Sequence, residues 1–262
     1  MSHHICLPKQ SLTRFSSKGA LFCLDLNTNQ ITKTTPKSFL VSENYFTKDV
    51  EDKLSAGIET RIGRVCKKID ETIKRNMVSD KTIAKMTKLS KEIIAIQSIR
   101  NPGYMKNHFL PYSKTPPRGE GGAKFAASFI LSGELYNTAI KEFNKAHNLD
   151  LKSMIILFNG TKRNFLLPTL HFYKYVYENQ DIFAICLSPK FSLLLVDTNF
   201  YNEHYRNGFG STGAKIFCED QVIHFNKYAA CFEKRYGIGK MVGSKIELNE
   251  IINFCEGCTF GC

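Results

Sequence analysis

The hydrophobic pattern changes character along the chain. Residues 20–33 contain two β-rich runs joined by turn residues, and this arrangement predicts a β-hairpin. From Asp49 to about Met77, apolar residues recur at every third or fourth position, which is the period of an amphipathic helix. The apolar arc of that helix is formed by Leu54, Ile58, Ile62, Val65, Ile69 and Ile73.

Further helices are predicted in the middle of the chain. One helix has Ser79 as its N-cap and ends before Pro102, because the residue that precedes a proline is disfavoured in a helix. Residues 103–123 are rich in proline and glycine and predict a flexible loop, and a helix is expected over about 123–147. The pattern therefore predicts a helical insertion at about residues 49–148.

The C-terminal half contains short apolar runs bounded by turn residues, which predict mostly buried strands. These runs cover residues 153–158, 164–167, 182–186 and 192–196. Residues 200–216 predict a loop, 220–235 a helix and 245–254 an amphipathic closing segment. The expected fold is α+β, with an N-terminal β-hairpin, a central helical segment, mostly antiparallel C-terminal strands and a closing helix. We expect a single domain over residues 1–262.

Composition narrows the class of protein. The chain has 262 residues, of which 43% are hydrophobic, as in globular proteins rather than disordered chains. No apolar run is long enough to span a membrane, and the first residues lack the apolar core of a secretory signal. The net charge of +12 favours an anionic partner: RNA or DNA, an anionic membrane surface or an acidic protein. We therefore expect a cytoplasmic protein.

Part of this positive charge forms a stripe on the first predicted helix, beside its apolar arc. The stripe contains Arg61, Arg64, Lys68 and Arg75. One interpretation is a solvated helix face whose long side chains cover apolar surface. The other is a set of phosphate contacts to nucleic acid.

The nine cysteines are mostly isolated, and several lie in apolar runs, so most are interpreted as reduced packing residues. The thiol-rich tail, residues 255–262, is the exception. Cys255 and Cys258 have the spacing that lets two thiolates reach one zinc ion or form a redox pair. No second pair at the usual spacing completes a zinc site, so a loosely packed tail is the alternative.

Several short motifs follow one another in a characteristic order. They are Pro8-Lys-Gln-Ser-Leu-Thr-Arg-Phe15, Ser42-Glu-Asn-Tyr-Phe46, Glu51 to Glu59, Gln97-Ser-Ile-Arg-Asn-Pro102, Leu187-Ser-Pro-Lys190, Asn226-Lys-Tyr-Ala229 and Arg235-Tyr236. Together they resemble the bacterial and phage domain-of-unknown-function family 4238, over roughly residues 4–240. The family opens with a histidine near this proline, and His4 is the matching residue. Its F-x-[ST]-S-D segment corresponds here to residues 165–171, which contain no aspartate.

The polar residues at the motif positions are the catalytic candidates that this resemblance implies: His4, Glu43, Glu59, Gln97 and Arg100. Antiparallel pairing of the two helices would bring Glu59, Gln97 and Arg100 into one polar cluster. Such a cluster could bind a phosphate or a water held by a divalent metal. It could equally be a buried ion pair that determines the helix register, and we favour this structural interpretation.

Other signals are weaker. None of the strong nucleotide-binding, esterase or metalloprotease signatures occurs in the sequence. The glycine-rich residues 207–213 lack the lysine of a phosphate loop and predict a flexible loop. His171, His204 and His224 are isolated, so we interpret them as core or surface residues rather than metal ligands.

These observations support two main hypotheses. The first is a nucleic-acid-directed effector, with a nuclease as one form, in a bacterial defence or toxin system, as the resemblance suggests. The second is a non-enzymatic interaction protein, an inhibitor or complex subunit, that binds an acidic partner. A metal-linked redox protein that uses Cys255 and Cys258 is a third hypothesis.

Overall fold

The computed structural model describes residues 2–4, 6–43, 46, 48–75, 80–104, 153–177, 179–197, 199–200, 202 and 214–257. The predicted helix at 123–147, the N-cap Ser79 and most of the predicted loop at 103–123 lie outside these residues. Within them, the fold is a mixture of helices and strands, as predicted.

The N-terminal part contains four strands and a short helix. Strand β1 (Ser2–His4) pairs antiparallel with β4 (Val41–Glu43), and helix α1 (Lys9–Phe15) lies between them in the sequence. Strands β2 (Leu21–Asp25) and β3 (Gln30–Thr34) form the predicted hairpin. The Asp25 carboxylate accepts hydrogen bonds from the backbone of Asn27 and Thr28, and Asn29 takes a left-handed conformation. Turn chemistry therefore stabilises this hairpin, as its sequence indicates.

The predicted first helix is a longer composite. Helix α2 (Lys48–Leu54) continues without a break through a π-helical segment, Ser55–Glu59, into α3 (Thr60–Arg75). The Thr60 hydroxyl donates a hydrogen bond to the Ser55 carbonyl at 2.8 Å. The π segment was not predicted, because one wider turn barely changes the spacing of apolar residues. Such segments are frequent at functional sites.

Helix α4 (Asp80–Arg100) follows, as predicted, and leads into a single turn, α5 (Pro102–Tyr104). Gly103 packs against the backbone of Gly237 so closely that a side-chain carbon has no room there. This contact ties the end of α4 to the C-terminal part of the chain.

The C-terminal residues form a five-stranded sheet, predominantly antiparallel as predicted. Its strands are β5 (Ser153–Asn159), β7 (Phe172–Tyr177), β8 (Gln180–Ser188), β9 (Phe191–Val196) and β10 (Ala214–Phe217). Their order is β10-β5-β9-β8-β7, and only the β10–β5 pair is parallel. The predicted loop over 200–216 is wrong at its end, because Ala214–Phe217 adds a strand to this sheet. Strand β7 was also not predicted.

A second sheet joins the two ends of the chain. It has the order β3-β2-β11-β6, in which β6 (Leu167–Pro168) is much shorter than the predicted run and β11 (Lys240–Gly243) was not predicted. Helices α6 (Glu219–Tyr236) and α7 (Lys245–Gly257) confirm the two predicted C-terminal helical segments. Because β11 pairs with β2, residues near both ends of the sequence share one sheet.

The five-stranded sheet lies between two layers. Alternate residues of β8 face opposite ways: Phe183 and Ile185 pack with the helices α2, α3 and α4, whereas Ile182 and Ala184 pack with α1, the second sheet, α6 and α7. On α3, the predicted apolar residues Ile62 and Ile69 are buried, which leaves the charged positions of that helix at the surface. None of the described helices is long and apolar enough to cross a membrane.

Candidate functional site

Glu59 and Arg100 form an ion pair between the end of the π segment and the end of α4. Arg100 Nη1 donates to Glu59 Oε1 at 2.8 Å, and the Arg100 side chain is only 1% exposed, against 16% for Glu59. The aromatic ring of Phe46 lies 5.7 Å from the guanidinium carbon of Arg100. The structure thus joins two of the predicted catalytic residues in a buried contact. Their catalytic role remains a prediction.

Gln97 lies one helical turn before Arg100 and is fully buried. Among the described residues, neither its amide oxygen nor its amide nitrogen has a hydrogen-bond partner. A buried polar group without a partner costs about 1–3 kcal/mol of folding free energy. Natural proteins contain few such groups, so each of them needs an explanation.

His171 shares this feature. It is fully buried, and its φ of 68° is in the left-handed region. Neither ring nitrogen makes a hydrogen bond of normal geometry to the described residues, although the Cys186 backbone lies close enough to interact with the ring. Burial lowers the pKa of His171 to about 4, and the positive charge of Arg100 adds to this effect. The ring is therefore neutral at pH 7.

His171 is a core residue as expected, His224 is exposed, and His204 lies outside the described residues.

Glu233 is a buried carboxylate that the sequence analysis missed. It accepts hydrogen bonds from the Thr169 hydroxyl and from the backbone amides of Leu170, at 3.0 Å, and Ile238, at 3.0 Å. Burial raises its pKa to about 7, although these hydrogen bonds act in the opposite direction. The sequence pattern that could have predicted this residue is its position one turn after Ala229, on the buried face of α6.

Glu233 supplies a carboxylate to residues 165–171, the segment that lacks the aspartate typical of the family. Its carboxylate reaches this segment from α6 and bonds to Thr169 and Leu170. Cys6 is buried nearby, and burial together with the negative charge of Glu233 raises the pKa of its thiol well above the usual range. We refer to Glu59, Gln97, Arg100, His171 and Glu233 as the polar centre.

A basic groove lies between α3 and α4. Its volume is about 380 Å³, and its cationic residues are Arg61, Arg64, Lys68, Lys85 and Lys88. Val65, Met86 and Leu89 add apolar surface to the lining. Glu92 also lines the groove and pairs with Arg61. Three residues of the predicted stripe therefore share one groove with two lysines of α4. Those lysines were not predicted, because the stripe was defined on one helix alone.

The side chains of the other predicted catalytic and stripe residues lie outside the description, so their role stays a prediction. His4 ends β1 opposite Val41, and Glu43 lies opposite Ser2 in the same strand pair, but their side chains lie outside the description. Arg75 is the last residue of α3, and the position of its side chain also lies outside the description.

The tail cysteines remain untested as metal ligands. Cys255 is partly buried on α7, and Cys258 lies outside the described residues. No group of three or more potential metal ligands occurs in the part of the chain that the structure describes. Cys23, Cys66 and Cys186 are buried, and burial raises their pKa values to about 11, 11 and 12. These thiols stay protonated at neutral pH, as expected for packing residues.

The comparison with protein families confirms the resemblance over the N-terminal part of the chain. A family model described as a protein of unknown function, DUF4238, matches residues 3–128. Over these residues the chain is similar to the DUF4238 family. This segment contains Glu59, Gln97, Arg100 and the whole basic groove, whereas His171 and Glu233 lie beyond it. No curated protein and no solved structure matches the chain.

Proposed function

We propose that the protein binds nucleic acid and that the basic groove holds its phosphate backbone. The main supporting observation is that five cationic side chains from two helices line one groove. Only one carboxylate is among the described lining residues. Arg64, Lys68, Lys85 and Lys88 are exposed, so their charges can replace the counterions of a phosphate chain.

The spacing of the cations in the groove also favours contacts to a chain of phosphates over the alternative interpretation, a solvated helix face. Arg64 and Lys68 are one turn apart on α3, and Lys85 and Lys88 are one turn apart on α4. A turn of helix advances about 5.4 Å, close to the spacing of successive phosphates in an extended strand. The apolar residues between the two rows offer contacts to sugars and bases.

Cleavage of the bound strand, as by a nuclease, is proposed at the polar centre. Glu59 lies two residues before Arg61 on the same composite helix, so its backbone is within about one helical turn of the groove. Within the described part of the chain, Gln97 and His171 add buried polar groups without a well-formed hydrogen bond, and a catalytic role is one explanation for such groups. A cytoplasmic effector role in bacterial defence or toxicity is supported by the family resemblance alone.

Binding is tested by charge reversal with a matched control. The variant Arg64→Glu/Lys68→Glu removes two groove cations, whereas Lys67→Glu/Lys81→Glu makes the same change in net charge at exposed lysines outside the groove. With about four phosphate contacts, we expect the logarithm of the association constant to fall with the logarithm of salt concentration with a slope of about −3. The groove variant should reduce this slope by about 2, and the control should leave it nearly unchanged.

The measurement is fluorescence anisotropy with labelled RNA and DNA oligonucleotides between 50 and 200 mM salt. Over this fourfold range a slope of about −3 lowers the association constant roughly 60-fold. Gels of the same samples, with and without Mg²⁺, show whether the oligonucleotide is cut. No binding at any salt concentration, or equal loss in both variants, would overturn the proposal. The first result would favour the acidic protein partner instead.

A further inference from the structure

A second pocket, unrelated to the basic groove, lies between the edge strand β7 and helix α6. Its volume is about 400 Å³. Its lining includes Lys174, Tyr175, Val176, Tyr228, Arg235 and Tyr236. Val176 is 63% exposed and Tyr228 is 48% exposed, and both are among the few large apolar side chains at the described surface. Aromatic surface of this kind needs an explanation, because burial of it would stabilise the fold.

Tyr228 is the outer end of a chain of aromatic rings that begins in the core. The buried Phe217 and Phe225 have ring centroids 4.8 Å apart, and Phe225 lies 5.5 Å from Tyr175. Tyr175 then stacks on Tyr228, with centroids 5.2 Å apart and an angle of 18° between the ring planes. The core therefore holds the exposed ring in a defined position, and little entropy is lost when another planar ring stacks on it.

The charges around this ring pair favour an anionic ligand. Lys174 and Arg235 line the pocket, and none of the described lining residues is a carboxylate. The Lys174 ammonium group pairs with Asp181 of the adjacent strand β8 at 2.7 Å. This ion pair holds the ammonium group at the sheet edge. The Arg235 guanidinium lies 5.2 Å from the centre of the Tyr236 ring. The pocket lining thus contains both tyrosine rings and two cationic side chains.

From this arrangement we infer that the ring pair Tyr175–Tyr228 is a stacking platform for unpaired bases, so that the protein binds single-stranded nucleic acid in preference to duplex. The inference depends on the proposed function. An unpaired base has a free face that extends the stack of the two tyrosines, while Lys174 and Arg235 lie near its phosphates. The bases of a duplex are already stacked on each other and cannot reach the platform.

The test compares Tyr228→Ala with Tyr228→Phe, and Ile246→Ala serves as a control for loss of an exposed apolar side chain elsewhere. Loss of the ring should weaken binding of a single-stranded oligonucleotide roughly tenfold or more, because base stacking on an aromatic ring contributes on this scale. The salt slope should not change, because no cation is removed. Tyr228→Phe and Ile246→Ala should bind like the original protein.

Binding to a duplex of the same sequence should be weaker and should not respond to Tyr228→Ala. Unchanged single-strand affinity in Tyr228→Ala, or equal loss for duplex and single strand, would overturn the platform while the groove proposal survives. Tyr228-dependent dimerisation on size exclusion would overturn it too, since a second copy would then cover the rings. If the original protein binds no nucleic acid, both proposals fail together.

Discussion

At the scale of single residues, Glu233 has the most unusual environment. Its side chain is buried beside Thr169 and Leu170 on one side and Ile238 on the other, so one carboxylate holds two chain segments together. A charged carboxylate in such a place is costly, and its raised pKa expresses that cost. Protonation of Glu233 therefore stabilises the folded protein.

The direction of this pKa shift predicts how the free energy of unfolding depends on pH. The folded-state pKa of Glu233 is about 7, above its ordinary value of 4.5, so the folded state binds the proton more tightly. The contribution of Glu233 to stability is complete below about pH 4.5 and is lost as the pH rises to 7. Urea titrations from pH 4.5 to 8 should show this loss, which is about 3 kcal/mol at most.

Glu233→Gln is the matching variant, since its amide cannot titrate. We expect the difference in unfolding free energy between the original protein and this variant to shift in favour of the variant as the pH rises. A constant difference across the range would show that the carboxylate titrates normally. The Cys6 thiol stays protonated in this range because its pKa is raised, so it does not confuse the result.

Some residues of the polar centre could be predicted from the sequence, and others could not. Gln97 and Arg100 were found from one motif, because they lie a single turn apart on one helix. His171 and Glu233 come from a loop and from α6, and nothing in the local pattern indicates that both lie near α4. Only the packed fold brings such distant segments together.

At the scale of secondary-structure elements, the pairing of α3 and α4 organises both candidate sites. Glu59 pairs with Arg100 and Arg61 pairs with Glu92, so the partners run in opposite directions along the two helices. These ion pairs set an antiparallel register, which in turn places Arg64 and Lys68 opposite Lys85 and Lys88.

The unequal burial of Glu59 and Arg100 predicts unequal effects of substitution. Glu59→Gln removes the carboxylate that pairs with the buried guanidinium and should cost about 3–5 kcal/mol. Arg100→Met should cost less, because Glu59 remains partly exposed and can be hydrated. The double variant should recover much of the loss, since it leaves no unpaired buried charge.

Chemical denaturation of the four proteins measures these differences. If the two single changes add in the double variant, the pair does not determine the register as described. Nucleic-acid binding by the Arg100→Met variant then separates structure from function. Retained binding would show that the ion pair supports the groove without taking part in recognition.

Elements with strong periodicity were predictable, and short or irregular ones were not. Leu54, Ile62 and Ile69 mark a helix because they recur along one face. Strand β11 has four residues, Lys240–Gly243, and no alternation that distinguishes it from a loop. Strand β7 alternates Phe172, Lys174 and Val176 with tyrosines, so both of its faces contain apolar side chains and the two-residue period is weak.

At the scale of the whole molecule, the chain does not divide where the family match ends. Strand β2 pairs with β11, and the core around Leu24 contains Met241 and Leu248 from the C-terminal end. The helices α3 and α4 bury Ile62 and Ile93 against Phe172 and Leu193 of the large sheet. The segment 3–128 therefore lacks the partners for both of its apolar surfaces.

This arrangement predicts one cooperative unit. The full chain should unfold in a single transition in which circular dichroism and tyrosine fluorescence change together. A fragment of residues 1–128 should aggregate or lack a cooperative transition. Of the described buried residues, it lacks 8 of the 22 in one core and 20 of the 29 in the other. A fragment that folds cooperatively on its own would contradict the single domain expected from the sequence.

The pairing of β2 with β11 has a consequence for synthesis on the ribosome. At about 5–20 residues per second, Asp25 leaves the ribosome roughly 10 to 40 seconds before its partner Lys240 is made. During that interval the N-terminal hairpin presents an unpaired strand edge, which is a site for association with other nascent chains. The exposed Lys33 on β3 and the surplus of positive charge repel such encounters between copies of this chain. The net positive charge thus disfavours self-association of the unfinished chain.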